Sequence, residues 1–141
     1  QEWITIDESI DLAQFFSTDH SGLRTMSLFD AIINNTDRKI GHLLPANMDD
    51  VYGCDHGVTF HAEDKLRTVL WQWSGEPFTD QEIQILEHAK SSLQAELRIK
   101  LEPLLTDNEI DAIDSRVRKL LKDGCFPAPN PNWPAVPWPA F

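Results

Sequence analysis

Asn35-Thr36-Asp37-Arg38, followed by His42 and then by Asp55-His56-Gly57, sets two carboxylates on neighbouring loops with an imidazole between them. Such a pair invites a divalent metal, and phosphoryl transfer is a reaction that uses one beside a triphosphate. That reaction asks little covalent chemistry of the protein; positioning and charge neutralisation carry it. Asp37 would orient an acceptor hydroxyl and take its proton, while Asp55 would hold Mg²⁺ through hard oxygen ligands bridging the phosphates. Arg38 would steady the loop or a phosphate by a forked contact. His42 has two readings: a ligand to a metal softer than magnesium, or a hydrogen-bond donor to Asp37 or a phosphate.

Taken singly, these motifs have plainer explanations. Asn-Thr-Asp-Arg on a polar loop is a helix terminator with solvated charges, and Asp-His-Gly makes an ordinary turn. Their conjunction is what carries the functional reading. His56 and His61 with Cys54 also offer zinc-capable side chains, but no Cys-x-x-Cys or His-Glu-x-x-His spacing accompanies them. His20 and His88 lie outside the constellation and read as surface residues.

The elements that must position these loops can be read from periodicity. From about Gly22 to Asn34, Leu23, Met26, Phe29, Ile32 and Ile33 recur at helical spacing, so a helix delivers Asp37 just beyond its carboxyl end. Asn34 and Asn35 tolerate left-handed backbone and suit the stop. His42 to Leu44 and Val51 to Cys54 flank a turn-rich stretch and read as a hairpin, with Asp55 at its exit and Gly57 supplying a sharp turn. Glu2 to Ile6 reads as a short strand, and Lys65 to Trp73 as an apolar helix. Thr79-Asp-Gln-Glu82 and Thr106-Asp-Asn-Glu109 are capping boxes. The first opens a helix whose buried face runs through Ile83, Leu86, Ala89, Leu93 and Leu97. After Pro103 the second opens another through Ile110, Ile113, Val117, Leu120 and Leu121, stopped at Gly124.

From residue 126 the chain turns proline-rich, with six prolines in its last fifteen residues, which excludes regular helix. Trp133, Trp138 and Phe141 are expected to strap this tail across its own domain. The fold class is therefore mainly α with a small β-hairpin, an α+β chain of one domain over 1–125 plus a packed tail over 126–141.

Composition bounds the rest. The 141 residues suffice for one core. A formal net charge of −11 opposes nucleic acid as a partner. No apolar run spans a bilayer and no signal-peptide pattern opens the sequence, so a soluble, non-transmembrane chain is expected. Two cysteines far apart suit a reducing compartment, hence a cytoplasmic location. The chain begins at Gln1 rather than Met, which suggests a fragment or processed product.

Phe29-Asp-Ala-Ile-Ile-Asn-Asn-Thr-Asp-Arg-Lys-Ile-Gly-His42, Val51-Tyr-Gly-Cys-Asp-His-Gly-Val-Thr-Phe-His61 and Lys65-Leu-Arg-Thr-Val-Leu-Trp-Gln-Trp73 resemble the phosphatidylinositol 3-/4-kinase-like superfamily. The likeness is greatest to uncharacterised bacterial members and runs on into Trp133-Pro-Ala-Val-Pro-Trp-Pro-Ala-Phe141. Asn35-Thr-Asp-Arg38 also resembles the catalytic loop of type II phosphatidylinositol 4-kinases. The resemblance implies a kinase-like carboxyl-terminal lobe, with a catalytic loop over 35–42, a metal loop over 55–57 and a helical body over 64–123. It implies Asp37 and Arg38 as catalytic, Asn35 and His42 as cofactor-binding, and Asp55 with His42 as holding Mg²⁺ or Mn²⁺ for ATP. Two departures stand out: His42 where kinases have Asn, and His56 where they have Phe. The phosphate-covering glycine loop and nucleotide-binding lysine of an amino-terminal lobe have no counterpart among the six glycines here, so the chain alone is expected to be inactive. Two rivals accompany this expectation: a pseudokinase or interaction module, and a small metal-dependent hydrolase using Asp55, His56 and His61.

Overall fold

A computed structural model describes residues 3–141. It is a mixed, mainly helical structure with one small antiparallel sheet. A single turn of helix, α1 (Leu12–Phe15), precedes α2 (Ser21–Ile33). After a 3₁₀ turn (Ile40–His42) come β1 (Leu43–Pro45) and β2 (Val51–Gly53), paired with Leu44 opposite Tyr52. A long irregular stretch leads to α3 (Asp80–Leu93), α4 (Glu96–Leu101) and α5 (Asp107–Asp123).

The helices form where local rules ask for them. Thr79 and Thr106 each accept from the backbone of the glutamate three residues on, and each glutamate returns the bond. α2 ends at Asn34 and α5 at Gly124, both with left-handed backbone. Leu86, Leu93, Ile113 and Val117 seat α3 and α5 against Leu23, Leu28 and Leu70 in one core. The stripe expected through Leu97 is interrupted, because α3 ends at Leu93 and α4 restarts at Glu96.

Three expectations are corrected. Lys65 to Trp73 is not helical: Arg67 N–H donates to Asn35 O, Arg38 N–H to Arg67 O, Val69 N–H to Arg38 O and Thr68 N–H to Ala135 O. A backbone spent on distant partners cannot also bond to itself at i+4 spacing. The sharp turn beyond the hairpin is made by Asp55 (φ 52°) rather than by Gly57. Trp3 to Ile6 holds no strand, although Asp7 N–H reaches Pro45 O at 2.9 Å; Glu2 lies outside the described residues.

The tail lies across the domain, but its aromatic rings are not its main fasteners. Ala135 O accepts from Thr68 N–H and from Trp71 Nε1, Ala140 O accepts from Ile40 N–H, and Pro137 is buried. Trp138 is 91% exposed and Phe141 60% exposed, whereas Trp133 is half-buried with Lys65 Nζ 5.3 Å from its ring centre. The described helices include none long and apolar enough to cross a membrane.

Candidate functional site

The loop carrying Asp37 leaves α2 through two asparagines, each fully buried. The Asn34 amide donates to His61 O and Glu63 O, and its Oδ1 accepts from Lys65 N–H. Asn35 Nδ2 donates to Asp30 Oδ1 at 3.0 Å and its Oδ1 accepts from Asp37 N–H at 3.0 Å. This Asx turn fixes the direction in which Asp37 leaves the helix. Asn35, expected to bind a cofactor, is fully buried and braces the loop between Asp30 and Asp37.

Arg38 is likewise turned inward. Its guanidinium is completely buried and forks onto Asp30, with Nε to Oδ2 at 2.9 Å and Nη2 to Oδ1 at 2.8 Å. Further donors reach Cys54 O at 2.9 Å and His56 Nε2 at 2.7 Å. Arg38 thus steadies the loops, and it does not reach a ligand. One side chain ties the end of α2 to both neighbours of Asp55, the Cys54 carbonyl before it and the His56 ring after it. Asp30 is the partner that periodicity alone passes over. It falls four residues after Met26 and seven after Leu23, on the buried stripe, and a carboxylate there is itself the signal of a buried cation. Phe29, which the same periodicity counted as core, is 45% exposed and packs edge-on against the His56 ring at 5.6 Å.

Burial first, and then the Arg38 charge, hold the His56 pKa below the ordinary imidazole value. A neutral ring whose Nε2 accepts from Arg38 carries its proton on Nδ1. His61 is also engaged: Nδ1 accepts from Glu63 N–H and Nε2 lies 3.2 Å from Lys65 Nζ. Neither ring offers Asp55 a free ligand nitrogen.

Two charged groups remain open to solvent. Asp37 is partly exposed, with Lys39 Nζ 3.7 Å from Oδ2 and Arg67 Nη2 3.5 Å from Oδ1. Asp55 is well exposed, its Oδ2 3.6 Å from His42 Nε2. His42 Nδ1 lies 3.4 Å from Lys39 N–H, a long bond that assigns the proton of a neutral ring to Nε2, facing Asp55. His42 so arranged turns its N–H toward the Asp55 carboxylate across a gap too long for a hydrogen bond; ligation of a metal through Nε2 would require the other tautomer. Among the described residues no three His, Cys, Asp or Glu side chains gather closely enough to hold a metal unaided. Lys39 approaches Asp37, and His42, which faces Lys39 N–H, approaches Asp55 on the far side of the hairpin.

From behind, Arg116 of α5 donates to Ile32 O and His61 O, capping the end of α2 that launches the site. Burial pushes its pKa down to about 10 against the pull of Asp64, so it stays charged at neutral pH. Lys39, Arg67, Asp30 and Arg116 all escaped the sequence reading as members of the site. Only Asp30 left a local signal.

Over 135 residues the chain is 42% identical to protein Rv2133c of Mycobacterium tuberculosis. The match takes in 96% of this chain and 48% of that protein, so the chain spans about half the length of the curated relative it matches. No protein-family model and no solved structure matches it.

Proposed function

We propose that this chain is the carboxyl-terminal lobe of an ATP- and metal-dependent kinase of the phosphatidylinositol 3-/4-kinase-like superfamily, its acceptor of unassigned class. The observation that carries the reading is the buried Arg38, which binds the loop of Asp37 and the loop of Asp55 to one anchor, Asp30. Rigid relative placement of a base and a metal ligand is what phosphoryl transfer demands of a protein. Asp37 takes the acceptor proton, and Asp55 holds the metal, with His42 facing it. The donor set fits magnesium bound in the usual way, through one carboxylate with phosphate oxygens and water completing the shell. When bound, the metal would neutralise phosphate charge. A further segment would supply the nucleotide clamp, and a longer protein containing it is the object to assay. Asp37→Asn and Asp55→Asn should each lower its ATP-dependent turnover by about a hundredfold or more. Unchanged turnover in both would refute the reading.

A pseudokinase or interaction module is favoured by one feature, an apolar groove of about 490 Å³ between α2, α3 and α4 that is lined by Phe29, Phe60 and Leu97. Calorimetry with ATP and Mg²⁺ or Mn²⁺ on the longer protein separates the two. Metal-dependent binding lost in Asp55→Asn supports the kinase, and absence of binding supports the module.

A further inference from the structure

Arg38 had been the expected phosphate contact, and the fold buries it completely, with its guanidinium turned onto Asp30, Cys54 O and His56. A site that handles a triphosphate in a chain of net charge −11 needs a replacement cation. We propose that Arg67 is that group: a phosphate-contacting residue beside Asp37, facing the anionic phosphoryl group of a metal–polyphosphate substrate. The inference rests on the kinase reading and adds a residue to it.

Placement comes first. The backbone of Arg67 is stitched into the Asp37 loop on both sides, accepting from Arg38 N–H at 3.1 Å and donating to Asn35 O at 2.9 Å. Its position is thereby coupled to that of Asp37 with no flexible segment between them. Orientation follows. Nε donates to Thr36 O at 2.7 Å, which pins the guanidinium plane, and Nη2 stands 3.5 Å from Asp37 Oδ1.

The remaining nitrogen, Nη1, has no partner among the described residues and is not sealed from solvent. Arg67 is partly exposed, as the Asp37 carboxylate beside it is. A guanidinium held by one edge, with its other edge free, is arranged to receive the oxygens of a phosphoryl group in a forked contact. Lys39 flanks the opposite carboxylate oxygen, leaving Asp37 between two cations. The contact to Asp37 is longer than a good charge-assisted hydrogen bond, so an arriving phosphate could displace it cheaply.

The plain alternative is that Arg67 only secures the loop through Thr36. Replacement by Lys separates the two, because Lys keeps the charge and loses the Nε bond to Thr36. The test is calorimetric titration, with tripolyphosphate and Mn²⁺ and well below the unfolding midpoint, of the longer protein that contains the clamp, for the parent chain and for Arg67→Gln, Arg67→Lys and Asp55→Asn. The expected result is about tenfold weaker binding in Arg67→Gln, as loss of one charge-assisted contact brings. Arg67→Lys, which keeps the charge without the fork, should bind measurably tighter than Arg67→Gln, whatever either variant does to the melting temperature. Equal weakening by Gln and Lys would overturn the assignment in favour of the loop-securing role. Binding unchanged in Arg67→Gln but lost in Asp55→Asn would overturn it while leaving the kinase reading intact. No metal-dependent binding by the parent chain would overturn both.

Discussion

Asp30 and Arg38 meet through two hydrogen bonds with neither side chain exposed, and the guanidinium also bonds Cys54 O and His56. Removing one partner of such a pair strands the other charge in the interior, at a cost of about 3–5 kcal/mol. Arg38→Gln and Asp30→Asn should each destabilise the chain by that order in urea unfolding, and a loss below about 1 kcal/mol would show the pair is not sealed as described. Asp55 belongs to the same scale. Its left-handed backbone suits Asn nearly as well as Asp, so Asp55→Asn removes charge alone, whereas Asp55→Ala should lose a further 1–2 kcal/mol, roughly, in the same assay. The two solvent-facing carboxylates were legible in the sequence because their spacing is local. Arg67 was not, because what brings it to Asp37 is a bridge between backbone segments that no periodicity announces.

At the scale of elements, local signals decided most of the outcome. Both capping boxes, the asparagine stop of α2 and the glycine stop of α5 are short-range devices, and each is where the residue pattern placed it. The segment over 65–73 failed as a helix for the converse reason, since its partners are the Asp37 loop and the tail. One box also has a long-range role. Glu82 closes the cap on Thr79 and takes Nε and Nη2 of Arg24, which bonds Glu76 as well and lies 4.7 Å over the Phe126 ring. Burial opposes ionisation of Glu82, but the Arg24 bond and the Thr79 N–H outweigh it and leave its pKa lowered. The stability it contributes is therefore complete above the unfolded value near 4.5 and is lost as pH falls through the lower folded value. Glu82→Gln should flatten the stability profile in that acid window. A profile identical to the parent's would show that other carboxylates govern it.

For the molecule as a whole, charge and topology matter more than any single bond. A formal charge of −11 on 141 residues repels itself at neutral pH, and salt screens that repulsion. Raising ionic strength from about 0.01 M to about 0.15 M, which shortens the screening length from about 30 to about 8 Å, should raise the unfolding midpoint. A fall would mean that ion pairs such as Arg24 with Glu82 outweigh the excess of like charge. The overall class, helices with one hairpin, was legible from composition and pattern. The tail was legible as a strap but not in its fastening, since carbonyl oxygens rather than tryptophans hold it. That fastening carries a consequence for how the chain folds. Ile40 N–H waits for Ala140 O, and Thr68 N–H for Ala135 O, so the candidate catalytic loop is closed by residues that lie 100 and 67 positions further along the chain. Contacts across such sequence distances form late, after local helices, because a long loop must be closed first. On the ribosome the helices can assemble while the site stays open, and the loop bearing Asp37 locks only after Ala135 and Ala140 have emerged.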